Sequence, residues 1–323
     1  MPSELDPLLK EALAWVIRLY SGRATTDDAE AIKQWRATSP EHEEAFRDAV
    51  KLWRTLGEEA RNRYLAGHTA SPRSLMTHSA HLVLSRRGAL GGALAASLAG
   101  YFVFRPPFNL WPSYQELSAD YRTGKGEQKS IALSGNVSLK LNTQTSIAIH
   151  TTTSDSQIEL ISGEAAITST RPPQRPLVVR AASGQMTATN AQFNARCLDD
   201  SVAISCVDGA VAVEVGGKSL SLRRGEQVSY SSAGLGLPSS LDVEQATAWQ
   251  NGLLIVRDRS LFDVVEEVNR YHPGRIVIVN SNLGRRMITG TFHLDQMDDF
   301  VGQVRGLFGA SIRSLPGGFV FLS

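Results

Sequence analysis

The side chains best suited to metal or nucleophilic chemistry in this chain of 323 residues are seven histidines and two cysteines. Their spacing argues against both chemistries. His68, His78 and His81 sit in a polar stretch with no regular ligand spacing, which reads as a solvated tether rather than a zinc site. His272 stands beside Pro273 and reads as a turn residue. No nucleophile, base and orienting group can be assembled, and no glycine-rich phosphate loop opens a helix after a strand. The expectation is therefore a chain without catalytic, cofactor or metal residues, built for protein contacts.

Cys197 and Cys206 could form a bridge in an oxidising compartment. If Leu198 to Ser201 make a hairpin loop, however, Cys197 faces Val202 and Cys206 faces Phe193. The sulfurs then stand roughly four residues apart on the ladder, at ~3.3 Å per residue, against a tolerated Cα separation of ~4.4 to 6.8 Å. Both read as small core side chains unless the register differs.

Arg86 and Arg87 matter for a different reason: they precede an uncharged, largely apolar run from Gly88 to Phe104. At ~1.5 Å per residue the run reaches ~25 Å, slightly short of a ~30 Å hydrocarbon core. Tyr101, Phe102, Phe104, Phe108 and Trp111 extend it with rings suited to the headgroup layer. Retention of arginine in the cytoplasm orients the helix, with the N-terminus inside and the remainder exported. The competing readings are a buried core helix and a cleaved signal, and the second is disfavoured because a patterned domain precedes the run. Ser85 to Leu90 also resemble a twin-arginine export signal.

Composition adds little beyond this: 42% hydrophobic residues suffice for two or three domains. A formal net charge of +1, with acidic and basic residues nearly balanced before the apolar run, disfavours direct nucleic-acid binding.

The elements that must position contact residues begin at about Leu5. Leu9, Ala12, Leu13, Val16 and Tyr20 recur at helical spacing, widened by Leu8, Trp15 and Leu19. Thr25 and Asp28 make a capping box for a second helix through Ile32 and Trp35. Ser39 and Pro40 start a third, which carries Ala45, Phe46, Ala49, Val50, Trp53 and Leu56. Trp15, Trp35 and Trp53 thus fall one per helix. They either fill a small core or leave part of an apolar face for a partner.

After Trp111 the period shortens. Ser130–Leu133, Val137–Leu141, Ser146–His150, Gln157–Ile161, Glu164–Thr168, Leu177–Ala181, Gln192–Arg196, Val202–Cys206, Ala210–Val215 and Leu220–Leu222 read as strands of stacked hairpins in an all-β domain. From Trp249 the pattern mixes again. Ser260 and Asp263 cap a helix through Tyr271, Ile276–Val279 and Ile288–Phe292 are strands about a turn at Asn282–Gly284, and a helix carrying Phe300 to Phe308 precedes two short strands. The expected unit is β-α-β-β-α-β.

The expected architecture is therefore multidomain: a small helical bundle at 1–60, a polar linker at 61–87, a transmembrane helix at 88–104, an all-β domain at 112–232 and a small α+β domain at 245–323.

Ala14, Trp15, Leu19, Ser21, Gly22, Trp35, Ser39 to His42, Ala45, Phe46, Leu52 and Trp53 resemble the N-terminal domain of FecR-type regulators, which are membrane-spanning anti-sigma factors. The β region resembles the FecR domain in Gly126, Glu127, Leu139, Leu141, Asn142, Gly163 to Ala165, Pro176 to Val179, Phe193, Asp208, Gly209, Val211, Gly225 and Glu226. It departs at Ser134 to Asn136 and at Asn190 and Ala191, where turn-capable residues persist. Tyr271 to Ile276 resemble the C-terminal segment, whose module is similar to the short signalling domain of secretins and TonB-dependent transporters.

The resemblance implies an inner-membrane protein that binds an extracytoplasmic-function sigma factor in the cytoplasm. In the periplasm it would receive a signal from a TonB-dependent outer-membrane transporter, typically one importing iron complexes. Trp15, Trp35, Phe46, Leu52 and Trp53 are then the candidates for building or flanking the sigma-binding face. Release by membrane proteases is the expected route, since Gly88, Gly91, Gly92 and Gly100 weaken the helix. Gly88, Gly92, Ala96 and Gly100 also fit helix pairing. The alternative is an envelope-assembly or structural protein whose exported β-domain docks a wall or secretion partner.

Overall fold

A computed structural model describes residues 6–20, 25–51, 113–133, 136–151, 156–198, 201–315 and 318–323. The expected membrane helix with Arg86 and Arg87, the polar linker, Leu52 and Trp53 lie outside the described residues. Among the described residues no helix is long and apolar enough to cross a membrane.

Three helices open the chain: α1 (Pro7–Tyr20), α2 (Thr26–Ala37) and α3, helical over 40–51 where its described stretch stops. The capping box at α2 forms, with Asp28 N donating to Thr25 Oγ1 at 3.2 Å and Thr25 N to Asp28 Oδ2 at 2.9 Å. Ser39 instead turns its hydroxyl to Glu41 and to His42 Nδ1, the latter at 2.9 Å. Ala12, Leu13, Val16, Leu19, Ile32, Phe46 and Ala49 bury the shared core of the three helices.

A short helix α4 (Tyr114–Leu117) leads into thirteen strands: β1 (Tyr121–Arg122), β2 (Lys129–Leu133), β3 (Val137–Leu141), β4 (Ser146–Thr151), β5 (Ser156–Thr170), β6 (Leu177–Ala181), β7 (Gly184–Ala188), β8 (Asn190–Leu198), β9 (Ser201–Val215), β10 (Lys218–Arg223), β11 (Glu226–Ser231), β12 (Gly234–Leu235) and β13 (Ser239–Ser240). They form one continuous sheet network around a single apolar core.

Two long strands organise it, where four separate strands were expected. Gly163 and Gly209 bend β5 and β9 at φ +90° and +73° instead of ending them. The first half of β5 pairs with β4 and β6, and its second half with β3 and β8. The first half of β9 pairs with β8 and β11, and its second half with β7 and β10. A Cβ on Gly163 would run into the Thr145 backbone, and one on Gly209 into the Asn190 carbonyl. The bend is therefore available only to a residue without a side chain. The β8–β9 register places Cys197 opposite Val202 and Phe193 opposite Cys206, and both thiols are buried and free.

The C-terminal unit runs α5 (Val243–Thr247), a 3₁₀ turn (Ala248–Asn251), β14 (Leu253–Ser260), α6 (Leu261–Val268), β15 (Arg275–Ile278), α7 (Ser281–Gly284), β16 (Met287–His293), α8 (Met297–Phe308), β17 (Ile312–Leu315) and β18 (Phe319–Leu322). It departs from the expected β-α-β-β-α-β order in two ways. Asn280 caps a short helix where a turn was read, accepting from the amides of Asn282 and Leu283. The strands also divide into a β14–β16 pair and a β15–β18–β17 sheet.

β18 alternates strictly. Val320 and Leu322 face α6 and α8, while Phe319 and Phe321 stack on the opposite face at 6.3 Å.

Candidate functional site

Two places concentrate polar or apolar groups beyond what folding a single element requires. The first is the junction where the C-terminal unit meets the β-domain. Glu164 follows the bend glycine of β5, and its carboxylate is buried. It accepts from Asn142 Nδ2 at 3.0 Å, Asn194 Nδ2 at 2.8 Å and Arg270 Nη2 at 2.8 Å. Arg270, just after α6, also bonds Glu267, which in turn holds Arg196 of β8 at 2.7 Å. Two carboxylates and two guanidiniums thus close a neutral chain across the boundary.

Around this chain, Asn142 Nδ2 donates to Tyr271 Oη at 2.7 Å, Thr143 Oγ1 to the Arg270 carbonyl at 2.8 Å and Lys125 Nζ to the Gly274 carbonyl at 2.9 Å. Gln128 Nε2 reaches the Trp249 carbonyl at 2.9 Å.

The electrostatics follow from burial and pairing. Burial pushes the Glu267 carboxyl up, but Arg270 and Arg196 outweigh it and hold the group below the usual carboxylate range. Burial drives the Tyr271 phenol up, so it stays protonated. Burial, with Arg275 nearby, brings the Lys125 amine down to about 8. His272 is buried and therefore shifted down, with Nδ1 accepting from Gly274 N and Nε2 3.0 Å from Asp298. These are docking contacts in which Glu164, Glu267, Arg196 and Arg270 each have a partner of opposite charge. Among the described residues, no cluster of His, Cys, Asp and Glu could hold a metal.

Asn142, Glu164 and Tyr271 belong to the segments that resemble FecR-type regulators, and their convergence is not visible in the sequence alone. The signal was a polar side chain interrupting an apolar strand pattern, as in Leu141–Asn142 and Gly163–Glu164–Ala165. Such a residue folds inward only if it meets partners. Glu267 and Arg270 carried no such mark, since charged residues near a helix end are ordinary, and Arg196 falls at a polar position of the alternating strand β8.

The second place is the helical cluster. Trp15 and Trp35 pack half-buried against it, and Phe46 is fully inside. Trp35 Nε1 donates to Glu11 at 3.1 Å, and its ring meets His42 edge-on at 4.9 Å. The Arg36 guanidinium lies 4.8 Å over the Phe46 ring while forking onto Glu43 at 2.7 and 3.0 Å. Phe319 from β18 completes the cluster, 3% exposed, with Phe321 beside it. Of the five predicted contact residues, Trp15, Trp35 and Phe46 are thus brought together.

Residues 119–212 match the FecR protein family, and residues 10–52 match a domain of unknown function, DUF4880. No curated protein matches the chain. Two crystal structures of a proposed anti-sigma factor from Parabacteroides distasonis ATCC 8503 are similar in fold. One, at 22% identity and TM-score 0.55, covers 63% of this chain and 97% of that one; the other, at 21% and 0.54, covers 62% and 96%.

Proposed function

We propose that this chain, with its DUF4880 segment and its FecR domain, is an anti-sigma regulator. In this reading it holds an extracytoplasmic-function sigma factor in the cytoplasm and receives a periplasmic signal from a TonB-dependent transporter, in iron uptake. The observation that carries the reading is the order of parts: helical segment at 10–52, uncharged run at 88–104, FecR domain at 119–212. A relay between compartments needs that order, with a single crossing oriented by Arg86 and Arg87.

The domain limits 1–60, 61–87, 88–104, 112–232 and 245–323 belong to the same proposal. So does release by membrane proteases: a single helix transmits rotation poorly between softly linked domains, because coupling needs a two-state element biased from both ends. Trp15, Trp35, Phe46, Leu52 and Trp53 are assigned to the sigma-binding face.

One contact bears directly on topology. Phe319 in the helical cluster requires the helices and the C-terminal sheet to share a compartment, whereas a single crossing separates them and leaves both surfaces needing another cover. Capture of a co-expressed extracytoplasmic-function sigma factor by the full-length chain in membranes tests the reading. Retention supports it, and absence of any such retention rejects it.

A further inference from the structure

We propose that the turn at residues 269–276, through which the C-terminal unit docks on the β-domain, is a proton-operated latch, and that His272 is the group that opens it. Nothing in the latch depends on the sigma-factor reading. The turn carries contacts that hold the two parts together: the Arg270 carbonyl accepts from Thr143 Oγ1 at 2.8 Å, Tyr271 Oη from Asn142 Nδ2 at 2.7 Å and the Gly274 carbonyl from Lys125 Nζ at 2.9 Å. Gly274 is also pressed against its own unit. A Cβ there would stand 1.9 Å from the Gly318 carbonyl, so the turn closes only on a glycine.

His272 sets the position of that glycine. Its side chain is 5% exposed, and Nδ1 accepts from the Gly274 amide at 3.1 Å. An amide N–H offers a proton and no lone pair, so Nδ1 must be bare and the ring proton sits on Nε2, 3.0 Å from Asp298 Oδ1. A second proton turns this acceptor into a donor aimed at another donor. The hydrogen bond is then lost, and with it the hold on the peptide whose carbonyl Lys125 uses.

The surroundings do little to accommodate an imidazolium. Asp298 of α8 faces the ring but is itself 84% exposed, whereas Lys125, from the loop between β1 and β2, adds positive charge, with Arg275 of β15 close to Lys125. Burial, helped by Lys125, holds the ring's value below the ordinary ~6.5. The closed turn thus excludes a proton that the open turn accepts, and opening is favoured as the pH falls below about 6.5. At about pH 5 the gain in opening is at most about thirtyfold, the limit set by ~1.5 pH units. Coupling between the β-domain and the C-terminal unit then follows the acidity of the compartment they share.

Hydrogen exchange of the full-length chain in membranes tests this, read by mass spectrometry at about pH 7.5 and about pH 5 and corrected for intrinsic exchange rates. Protection of residues 269–276 is expected to fall on acidification by roughly threefold to thirtyfold, with the β8–β9 ladder unchanged. His272→Asn, whose amide oxygen takes the place of Nδ1 and binds no proton in this range, is expected to keep its protection at both values.

Unchanged protection of 269–276 in the wild type overturns the latch, and so does an equal fall in His272→Asn, which places the titrating group elsewhere. A fall shared by the β8–β9 ladder overturns it too, since the whole body rather than the turn is then opening. Should His272→Asn fail to fold, the wild-type profile decides. An onset near pH ~6.5 supports the latch, and an onset confined below about pH 4.5, where carboxylates titrate, overturns it.

Discussion

Arg270 is the residue whose loss should be felt most. It sits between Glu164 and Glu267, and all three side chains are nearly buried. Arg270→Met leaves buried Glu164 without a cation and Glu267 with Arg196 alone, and breaking a buried pair in this way typically costs about 3–5 kcal/mol. Denaturant unfolding of the full chain, followed in the part beyond residue 113, should show it, whereas Arg257→Met, which breaks an exposed pairing with Asp242 and Glu244, should leave the midpoint within scatter. Equal effects would reject the buried network as the stronger tie.

Glu267 adds a pH dependence of known sign. Its folded value lies below the unfolded one, so its contribution is fully present above the unfolded value of about 4.3 and is lost as the pH falls through the folded value. Melting temperature should therefore drop on acidification below about pH 4.5, and Glu267→Gln should flatten that slope. Lys125 gives a slope of the same sign at the alkaline end. Its amine is depressed to about 8 by burial, so the cost of holding it charged is relieved as pH rises from about 8 towards 10.

At the scale of elements, the two bent strands decide the β-domain. Gly163→Ala meets the Thr145 backbone as well as a positive φ and should destabilise by more than the ~1 kcal/mol of left-handed strain alone. Gly216→Ala has a φ of +56° but open space around it, so it isolates the strain term. Thermal melts of the pair should differ clearly, and identical melts would remove packing against Thr145 as the reason for glycine.

These bends also show where legibility ended. The capping pairs Thr25–Asp28 and Ser260–Asp263 are local, and both form as their spacing requires. The Cys197 and Cys206 register followed from a hairpin only a few residues long. A glycine inside an alternating pattern, by contrast, reads equally as a turn or a bend. Only the strands that pair on both sides of Gly163 settle which, and those lie far away in sequence. The same holds for Glu164, whose inward position depends on Asn142, Asn194 and Arg270 arriving from three other segments.

For the whole molecule, the neutral chain from Glu164 to Arg196 ties the C-terminal unit to the β-domain, so the part beyond residue 113 behaves as one body in the proposed relay. The helical domain is connected to that body by residues 52–112, which contain the proposed crossing, and by the Phe319 contact that a crossing forbids.

Protease added outside spheroplasts that express the full-length chain separates these arrangements most directly. A regulator threaded once through the inner membrane loses residues from about 113 onward while a fragment holding Trp15, Trp35 and Phe46 stays protected and still binds its sigma factor. Digestion of both halves together, or protection of both, would place them in one compartment and contradict the relay.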